Sequence, residues 1–205
     1  GKQMWPLVEL SPKLISLAED DRIYGTVERL LGPDFIWAGS EGNVNVNYQH
    51  RWHSDRPGEH QLDYKRVKIM FYLDSLTADS GALRVMPGSH RMPMHMDLFE
   101  LQGLQDDPEA RPFGVDASEL PGMALESEPG DVVFFNQSLY HAMFNGWPGR
   151  RYFALKYAQT PETSADVKAL HTYAGGVFDV HDSFRNNKSA RIQGMVERLD
   201  AAPKS

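Results

Sequence analysis

Arg66-Val67-Lys68-Ile69-Met70-Phe71-Tyr72-Leu73, then Thr77-Ala78-Asp79-Ser80-Gly81, then Ala82-Leu83-Arg84-Val85-Met86 and Pro87-Gly88, reads as strand, turn, short strand and stop. The pattern continues on both sides. Toward the C-terminus, Asp131-Val132-Val133-Phe134-Phe135 follows Pro129-Gly130, and Leu139 to Phe144 forms another segment. Asn145-Gly146 with Pro148-Gly149 makes a turn, and Arg150 to Tyr157 is a strand rich in aromatics. Toward the N-terminus, the period changes at Phe35, and Asn43-Val44-Asn45-Val46-Asn47 alternates strictly, as a strand does. Gln49-His50-Arg51-Trp52-His53 is a second short segment, followed by a polar loop from Arg56 to Tyr64 that holds Pro57-Gly58.

Helical patterns flank this block. Ser11 reads as an N-cap before Pro12, and an apolar stripe runs through Leu14, Ile15, Leu17, Ile23, Val27, Leu30 and Leu31 to the stop at Gly32-Pro33. Residues 97–128 read as a long mixed excursion, and residues 164–173 and 190–199 as helices. Helices, then many short strands, then helices point to a mainly β fold with flanking helices, an antiparallel barrel or jelly roll.

A chain of 205 residues fits a single domain over 1–205, and one of this size buries roughly 70% of its unfolded surface. The apolar fraction is 41%, with 17 glycines besides, which excludes disorder, collagen and coiled coil. No cysteine is present, so disulfides, thiolate zinc sites, iron–sulfur clusters and a thiol nucleophile are all excluded. Any metal must sit on His, Asp, Glu or backbone, and eight His are available. Lys+Arg 21 against Asp+Glu 28 gives −7, which argues against a general nucleic-acid binder. No apolar run approaches the ~20 residues of a membrane helix. Gly1-Lys2-Gln3-Met4 carries neither a signal-peptide pattern nor an initiator Met, so the expectation is an N-terminus that is truncated or partly disordered. The default expectation is a cytoplasmic monomer or homodimer acting on a small molecule, with no nucleic-acid or membrane partner.

Two His-x-Asp pairs are present, His53-Ser54-Asp55 and His95-Met96-Asp97. Residues two apart on a strand share a face and could bind one metal. His53 closes a strand, whereas His95 follows Pro87-Gly88-Ser89-His90-Arg91 and opens an apparent helix. His141, after Leu139-Tyr140, offers a third ligand for the first pair. Two His and one carboxylate are the facial set of non-haem Fe(II) oxygenases; zinc with water is the rival chemistry on the same ligands. Arg150 or Arg151, nine or ten residues past His141, could bring a guanidinium fork for the far carboxylate of a dicarboxylate cosubstrate.

These pieces, taken in order, resemble the phytanoyl-CoA dioxygenase family. Gly81-Ala82-Leu83-Arg84-Val85-Met86-Pro87-Gly88-Ser89-His90-Arg91 is similar to that family's Pro-Gly-Ser-His stretch, and Trp52-His53-Ser54-Asp55 to its metal motif. Gly130-Asp131-Val132-Val133-Phe134-Phe135, His141 and Arg150-Arg151 resemble its second half in order and spacing. The likeness covers about residues 13–160, and Trp52 to Asp55 with the preceding Asn-Val strand is similar to ectoine hydroxylases.

The resemblance implies a double-stranded β-helix (jelly roll, cupin-like) and an Fe(II)- and 2-oxoglutarate-dependent oxygenase using O2. Its outcome would be hydroxylation or another C–H oxidation, with release of succinate and CO2. His53, Asp55 and His141 would be the iron ligands, and Arg150 would hold 2-oxoglutarate, with Arg151 on the outside of the same strand. Asn45 resembles a strand residue that contacts the cosubstrate, and Lys68 is a further candidate of that kind. The carboxylate of Asp55 matters because halogenating relatives lack it. Ala142-Met143 depart from the small Gly-Ser that often follows the distal His, which makes the pocket more apolar. His90, Arg91 and the methionines 86, 92, 94 and 96 read as structural, and His181-Asp182 with Phe184-Arg185 could cap the pocket or simply pack. Two rivals remain: a jelly-roll metalloenzyme using zinc or manganese without 2-oxoglutarate, and a metal-free binding module on the same scaffold.

Overall fold

The computed structural model describes residues 2–106, 111, 114–172 and 179–203. Strand β1 (Lys2–Met4) and a 3-10 turn at Val8–Leu10 precede α1 (Pro12–Ile15), a second 3-10 turn (Ser16–Glu19) and α2 (Asp21–Leu31). The single helical stripe expected here is therefore broken. Pro12 does stand in the first turn of α1, but the Ser11 side chain makes no capping bond. Asp20 leaves the helical region (φ −56°, ψ 131°), and its carboxylate accepts the Arg22 N–H, capping α2 anew. Helix α2 buries Ile23, Val27 and Leu31 at four-residue spacing, while Leu30, 46% exposed, lies off that stripe. Gly32, at φ 91°, ends the helix where an L side chain would be strained.

Among the described residues, eight more strands and four more α-helices follow. The strands are β2 (Phe35–Val44), β3 (His50–His53), β4 (Arg66–Tyr72), β5 (Leu83–Val85), β6 (Met123–Leu125), β7 (Val132–Asn136), β8 (His141–Met143) and β9 (Arg151–Gln159). The helices are α3 (Met94–Gln102), between β5 and β6, and then α4 (Ser164–Thr172), α5 (Asp182–Arg185) and α6 (Ala190–Asp200). Tyr173, the expected end of the helix over 164–173, lies outside the described residues, as does part of the excursion 97–128. The strand expected over 43–47 stops at Val44. The Asn45 side chain accepts the Asn47 N–H at 2.8 Å, an Asx turn that bends the chain out of the ladder. No helix of the described residues is long and apolar enough to cross a membrane.

The strands form a five-stranded sheet in the order β1-β2-β9-β4-β7 and a four-stranded sheet in the order β3-β8-β5-β6. By contacts the chain divides into two compact units, each assembled from several stretches. One holds Asn43–Leu62 and Phe71–Tyr152; the other holds Gln3–Gly42, Asp63–Met70 and Phe153–Ser205.

In the first unit, the four-stranded sheet sets the positions that matter. It is antiparallel between β3 and β8, β8 and β5, and β5 and β6. His53 lies opposite His141, and His50 opposite Met143, with an irregularity between the two pairs. Three steps along β3 match two along β8, the signature of a bulge, which re-aims side chains at strand ends. The other face buries Trp52, Met86, Leu120, Tyr140, Ala142 and Phe144. Trp52 is anchored twice more: its indole N–H donates to Ala117 O at 2.8 Å, and Gln105 bonds both its backbone groups at 3.1 and 2.9 Å. A Cβ at Gly122 would lie 2.4 Å from the Trp52 ring. Gly122→Ala is therefore expected to overpack this core and lower stability by about 1–3 kcal/mol, read by chemical denaturation.

The second unit has its own core of Ile36, Tyr64, Ala158, Ala169 and Leu170. An aromatic group stands beside it: Phe35 and Trp37 each meet Tyr157 edge-on at 5.6 and 5.1 Å, and Phe184 stacks on Trp37 at 4.5 Å.

Candidate active site

Among the described residues, one cluster could hold a metal: His53, Asp55 and His141, whose ligand atoms all lie within 4.8 Å of one another. The local sequence explains the convergence. The pairing of β3 with β8 puts the two imidazoles side by side, their ring centroids 4.2 Å apart and their planes tilted by 52°. The chain then turns through Ser54, and Asp55 brings an oxygen to 3.9 Å from His141 Nε2.

Both rings are oriented by their own strands. His53 Nδ1 bonds to Arg51 O, and His141 Nδ1 to Leu139 O, each at 2.8 Å and each two residues upstream. A carbonyl only accepts, so Nδ1 carries the proton and Nε2 is the nitrogen left for coordination, an arrangement typical of metal-ligating His. Phe135 lies 4.9 Å from the His141 ring and His50 3.9 Å from the His53 ring, so both imidazoles are also held by tilted ring contacts. Two neutral imidazoles and one carboxylate carry one negative charge and no thiolate, a set that suits a divalent first-row metal and leaves positions for exogenous ligands.

Arg150 is in the same unit, immediately before β9, and only 3% exposed. Its guanidinium lies over the Tyr72 ring at 5.1 Å and the Tyr152 ring at 5.6 Å. Its Nε is buried with no hydrogen-bond partner, and the described carboxylate that feels its charge, Asp74, is hydrogen-bonded to Arg151 instead. A buried cation in that state is unfavourable unless an anion arrives. Gly81 makes the room: at φ 88°, a Cβ there would sit 3.3 Å from Arg150 Cδ and Nε and 3.0 Å from Gly146 Cα. A Cβ at Gly146 would in turn meet Met143, which lies two residues beyond His141 and so on the same face of β8. Gly81 and Gly146 thus form a packed path from the Arg150 stem to the cluster's strand.

Arg151 takes the opposite direction. Its side chain is 54% exposed and its Nη2 pairs with Asp74 at 2.7 Å. That bond holds the Asp74 carboxyl below its ordinary range. Asp74 also accepts the Arg151 backbone N–H at 2.7 Å, which fixes the register of the strand start. Neighbouring strand residues face opposite ways, so one arginine turns in and the other out. Arg151→Ala is expected to leave the thermal melt nearly unchanged, as loss of an exposed pair does.

The other sequence candidates fall in several places. Asn45 binds the chain at Arg150 through its backbone, donating to Arg150 O at 2.8 Å and accepting from Gly149 N–H at 2.7 Å, while its side chain closes the turn to Asn47. Lys68 belongs to the second unit, where its ammonium lies 3.0 Å from Glu41, which also binds Lys156 at 2.5 Å. His95 is fully buried among backbone carbonyls and Asp97 is exposed, so this pair is not brought to the cluster. His90 is half-buried, and burial pushes its imidazole below the ordinary range. In the second unit, His181 caps α5 by accepting the Ser183 N–H, and Phe184 packs on Trp37. Tyr72 and Tyr152 have no site role in the sequence reading, where aromatic residues in strands pass for ordinary core, and Gly81 and Phe135 stand there only within stretches that carry the family resemblance.

A family model described as phytanoyl-CoA dioxygenase matches residues 4–145. A curated relative, the dioxygenase lolE1 of Epichloe uncinata, is 30% identical over 91 residues, covering 44% of this chain and 32% of that protein. The chain thus spans about a third of the curated relative it matches. Among solved structures, HygX of Streptomyces hygroscopicus with nickel and 2-oxoglutarate bound superposes with a TM-score of 0.58 at 20% identity, over 79% of this chain and 71% of that one. EctD of S. alaskensis with bound Fe gives 0.55 at 22% identity, over 78% and 57%. The non-heme alpha-ketoglutarate-dependent epimerase SnoN from nogalamycin biosynthesis gives 0.59 at 17% identity, over 88% and 73%. At these identities the likeness establishes the fold, a double-stranded β-helix with flanking helices.

Proposed function

The chain belongs to the phytanoyl-CoA dioxygenase family, and from that premise we propose that it is a non-haem Fe(II)- and 2-oxoglutarate-dependent dioxygenase that hydroxylates a C–H bond of a small molecule. His53, Asp55 and His141 are its iron ligands, and Arg150 holds the distal carboxylate of 2-oxoglutarate. Iron with bound 2-oxoglutarate and O2 supplies the oxidising chemistry, with succinate and CO2 as co-products.

The observation that carries this reading is Arg150. A two-His-one-carboxylate set also suits zinc or manganese, and a hydrolase on those ligands has no need of a second anion site. Here a guanidinium lies 3% exposed in the same unit as the cluster, with Nε unsatisfied and, among the described residues, no carboxylate hydrogen-bonded to it. Its planar fork matches a carboxylate in two bonds, and the Tyr72 and Tyr152 rings hold it in place before the ligand arrives. The neighbours point the same way: HygX is described with 2-oxoglutarate bound, and SnoN as alpha-ketoglutarate dependent.

The chain's own groups then have separate tasks. The backbone carbonyls of Arg51 and Leu139 hold the Nδ1 protons of His53 and His141, so each ring presents Nε2. Asp55 supplies the negative charge of the ligand set. Phe135 and Met143 give the His141 side of the site an apolar lining that keeps bulk water away. In an Asp55→Ala variant metal affinity is expected to fall about ten- to a hundredfold or more, since a ligand is lost rather than an outer partner. Cobalt(II) titration reads this directly. Wild-type affinity in that variant would remove Asp55 from the ligand set. The activity itself is tested by succinate formation from 2-oxoglutarate in the presence of Fe(II) and O2, expected in the wild type and needing about ten- to a hundredfold more 2-oxoglutarate in the Arg150→Ala variant.

A further inference from the structure

His95 is wholly buried, although it is an ionisable residue in the first turn of α3. Its ring is spanned by three backbone carbonyls. Nδ1 lies 3.1 Å from Ser138 O and 3.3 Å from Ser89 O, and Nε2 lies 3.1 Å from Arg56 O. All three are acceptors, so a ring that joins Ser138 and Ser89 on one side to Arg56 on the other does so with an N–H on both Nδ1 and Nε2. The places they occupy in the chain are informative. Arg56 follows Asp55, and Ser138 lies three residues before His141. Ser89 returns to the same strand, its hydroxyl accepting the Tyr140 N–H at 2.8 Å. The His95 ring also meets the Tyr140 ring edge-on at 5.5 Å.

A second tie runs parallel to the first. The Ser54 hydroxyl accepts the Arg56 N–H at 3.0 Å and donates to Gln137 O at 3.3 Å. The segment carrying Asp55 and the segment carrying His141 are thus joined through His95 and through Ser54, and 54–56 lies outside the helices and strands.

We infer that His95 is a positioning residue for the metal site: by joining the Arg56 carbonyl to those of Ser138 and Ser89, it sets how closely Asp55 approaches His141. The inference rests on His53, Asp55 and His141 being the ligands. It gives His95-x-Asp97 a role distinct from the one its motif suggests, since the histidine braces the ligands and its own aspartate takes no part.

The test is cobalt(II) binding to the full chain, read as affinity and as the visible spectrum, together with thermal melts of the metal-free variants. His95→Leu keeps the volume and loses every donor. It is expected to bind cobalt about ten- to a hundredfold more weakly, with an altered spectrum, as loss of outer-shell support does. His95→Gln, whose amide nitrogen reaches the place of Nε2, is expected to recover most of the affinity and the wild-type spectrum. His95→Asn, whose amide nitrogen replaces Nδ1, recovers less, because the Arg56 tie beside Asp55 stays open. If the Leu variant does not fold, the Gln and Asn variants carry the comparison. Wild-type affinity and spectrum in the folded variants, with only a lowered melting temperature, would make His95 a packing residue and overturn the inference while leaving the ligand assignment intact. A wild-type protein that binds no cobalt, or binds it equally well as His53→Ala, would overturn the ligand assignment and the inference with it.

Discussion

His141→Ala is expected to abolish specific iron binding while the chain stays folded. His141 sits at the meeting point of the site: it lies opposite His53 across the sheet, faces Asp55 at 3.9 Å and is steadied by Phe135 and by its own bond to Leu139 O. Losing it leaves one imidazole and one carboxylate, with no cysteine anywhere in the chain to substitute. The loss should exceed the ten- to hundredfold that removal of an outer partner costs. Isothermal titration with Fe(II) under anaerobic conditions measures it, and circular dichroism checks that the strands persist. His53→Ala should behave alike. An alanine variant that binds Fe(II) as the wild type does would place the metal elsewhere.

Arg150→Ala is expected to weaken 2-oxoglutarate binding about ten- to a hundredfold. A charge-assisted two-pronged contact is worth more than a neutral hydrogen bond, and leaving its buried partner unsatisfied costs roughly 1–3 kcal/mol, where 1.4 kcal/mol is about one factor of ten. Arg150→Lys restores the charge but not the fork, so it should recover part of the loss. Arg151→Ala should leave 2-oxoglutarate affinity nearly unchanged, because that guanidinium is committed to Asp74 on the outer side. An Arg151→Ala variant with the larger effect would mean that the strand start is shifted by one residue.

How much of this could be read beforehand depended on range. His53-Ser54-Asp55 was legible because two ligands adjacent in sequence share a short turn. His141 was legible by its place before a turn and a returning strand. What set His53 apart from His95 was not in the motif. It is the bulged pairing of β3 with β8, a contact 88 residues long by difference of residue numbers (141 minus 53), that puts His53 opposite His141. His95, by contrast, turns from the first residues of α3 into a nest of carbonyls that no spacing rule foretells.

Alternation was a good guide to strands and a poor one to their ends. Asn43 to Asn47 has the period of a strand, but Asn45 can bond its own chain two residues on, and that local bond ends the strand at Val44. The single stripe through α1 and α2 failed for a related reason, since Asp20 breaks and restarts the helix, and within α2 the buried face is Ile23, Val27 and Leu31. Tyr72 and Tyr152 could not be distinguished from core aromatics, because their value lies in what they touch, the Arg150 guanidinium, and not in their type. Lys68 looked like a second cation for the cosubstrate, but in the structure its ammonium pairs with Glu41, a partner 27 residues away by number (68 minus 41).

The central claim is that this site binds 2-oxoglutarate on iron through the three ligands and Arg150. It is tested most directly by titrating the anaerobic Fe(II)-loaded protein with 2-oxoglutarate and following the metal-to-ligand charge-transfer absorption. The account predicts a saturable band in the wild type, weaker binding by about ten- to a hundredfold in Arg150→Ala and no band in His141→Ala. A protein that binds Fe(II) at His53, Asp55 and His141 yet develops no band at any 2-oxoglutarate concentration would contradict it.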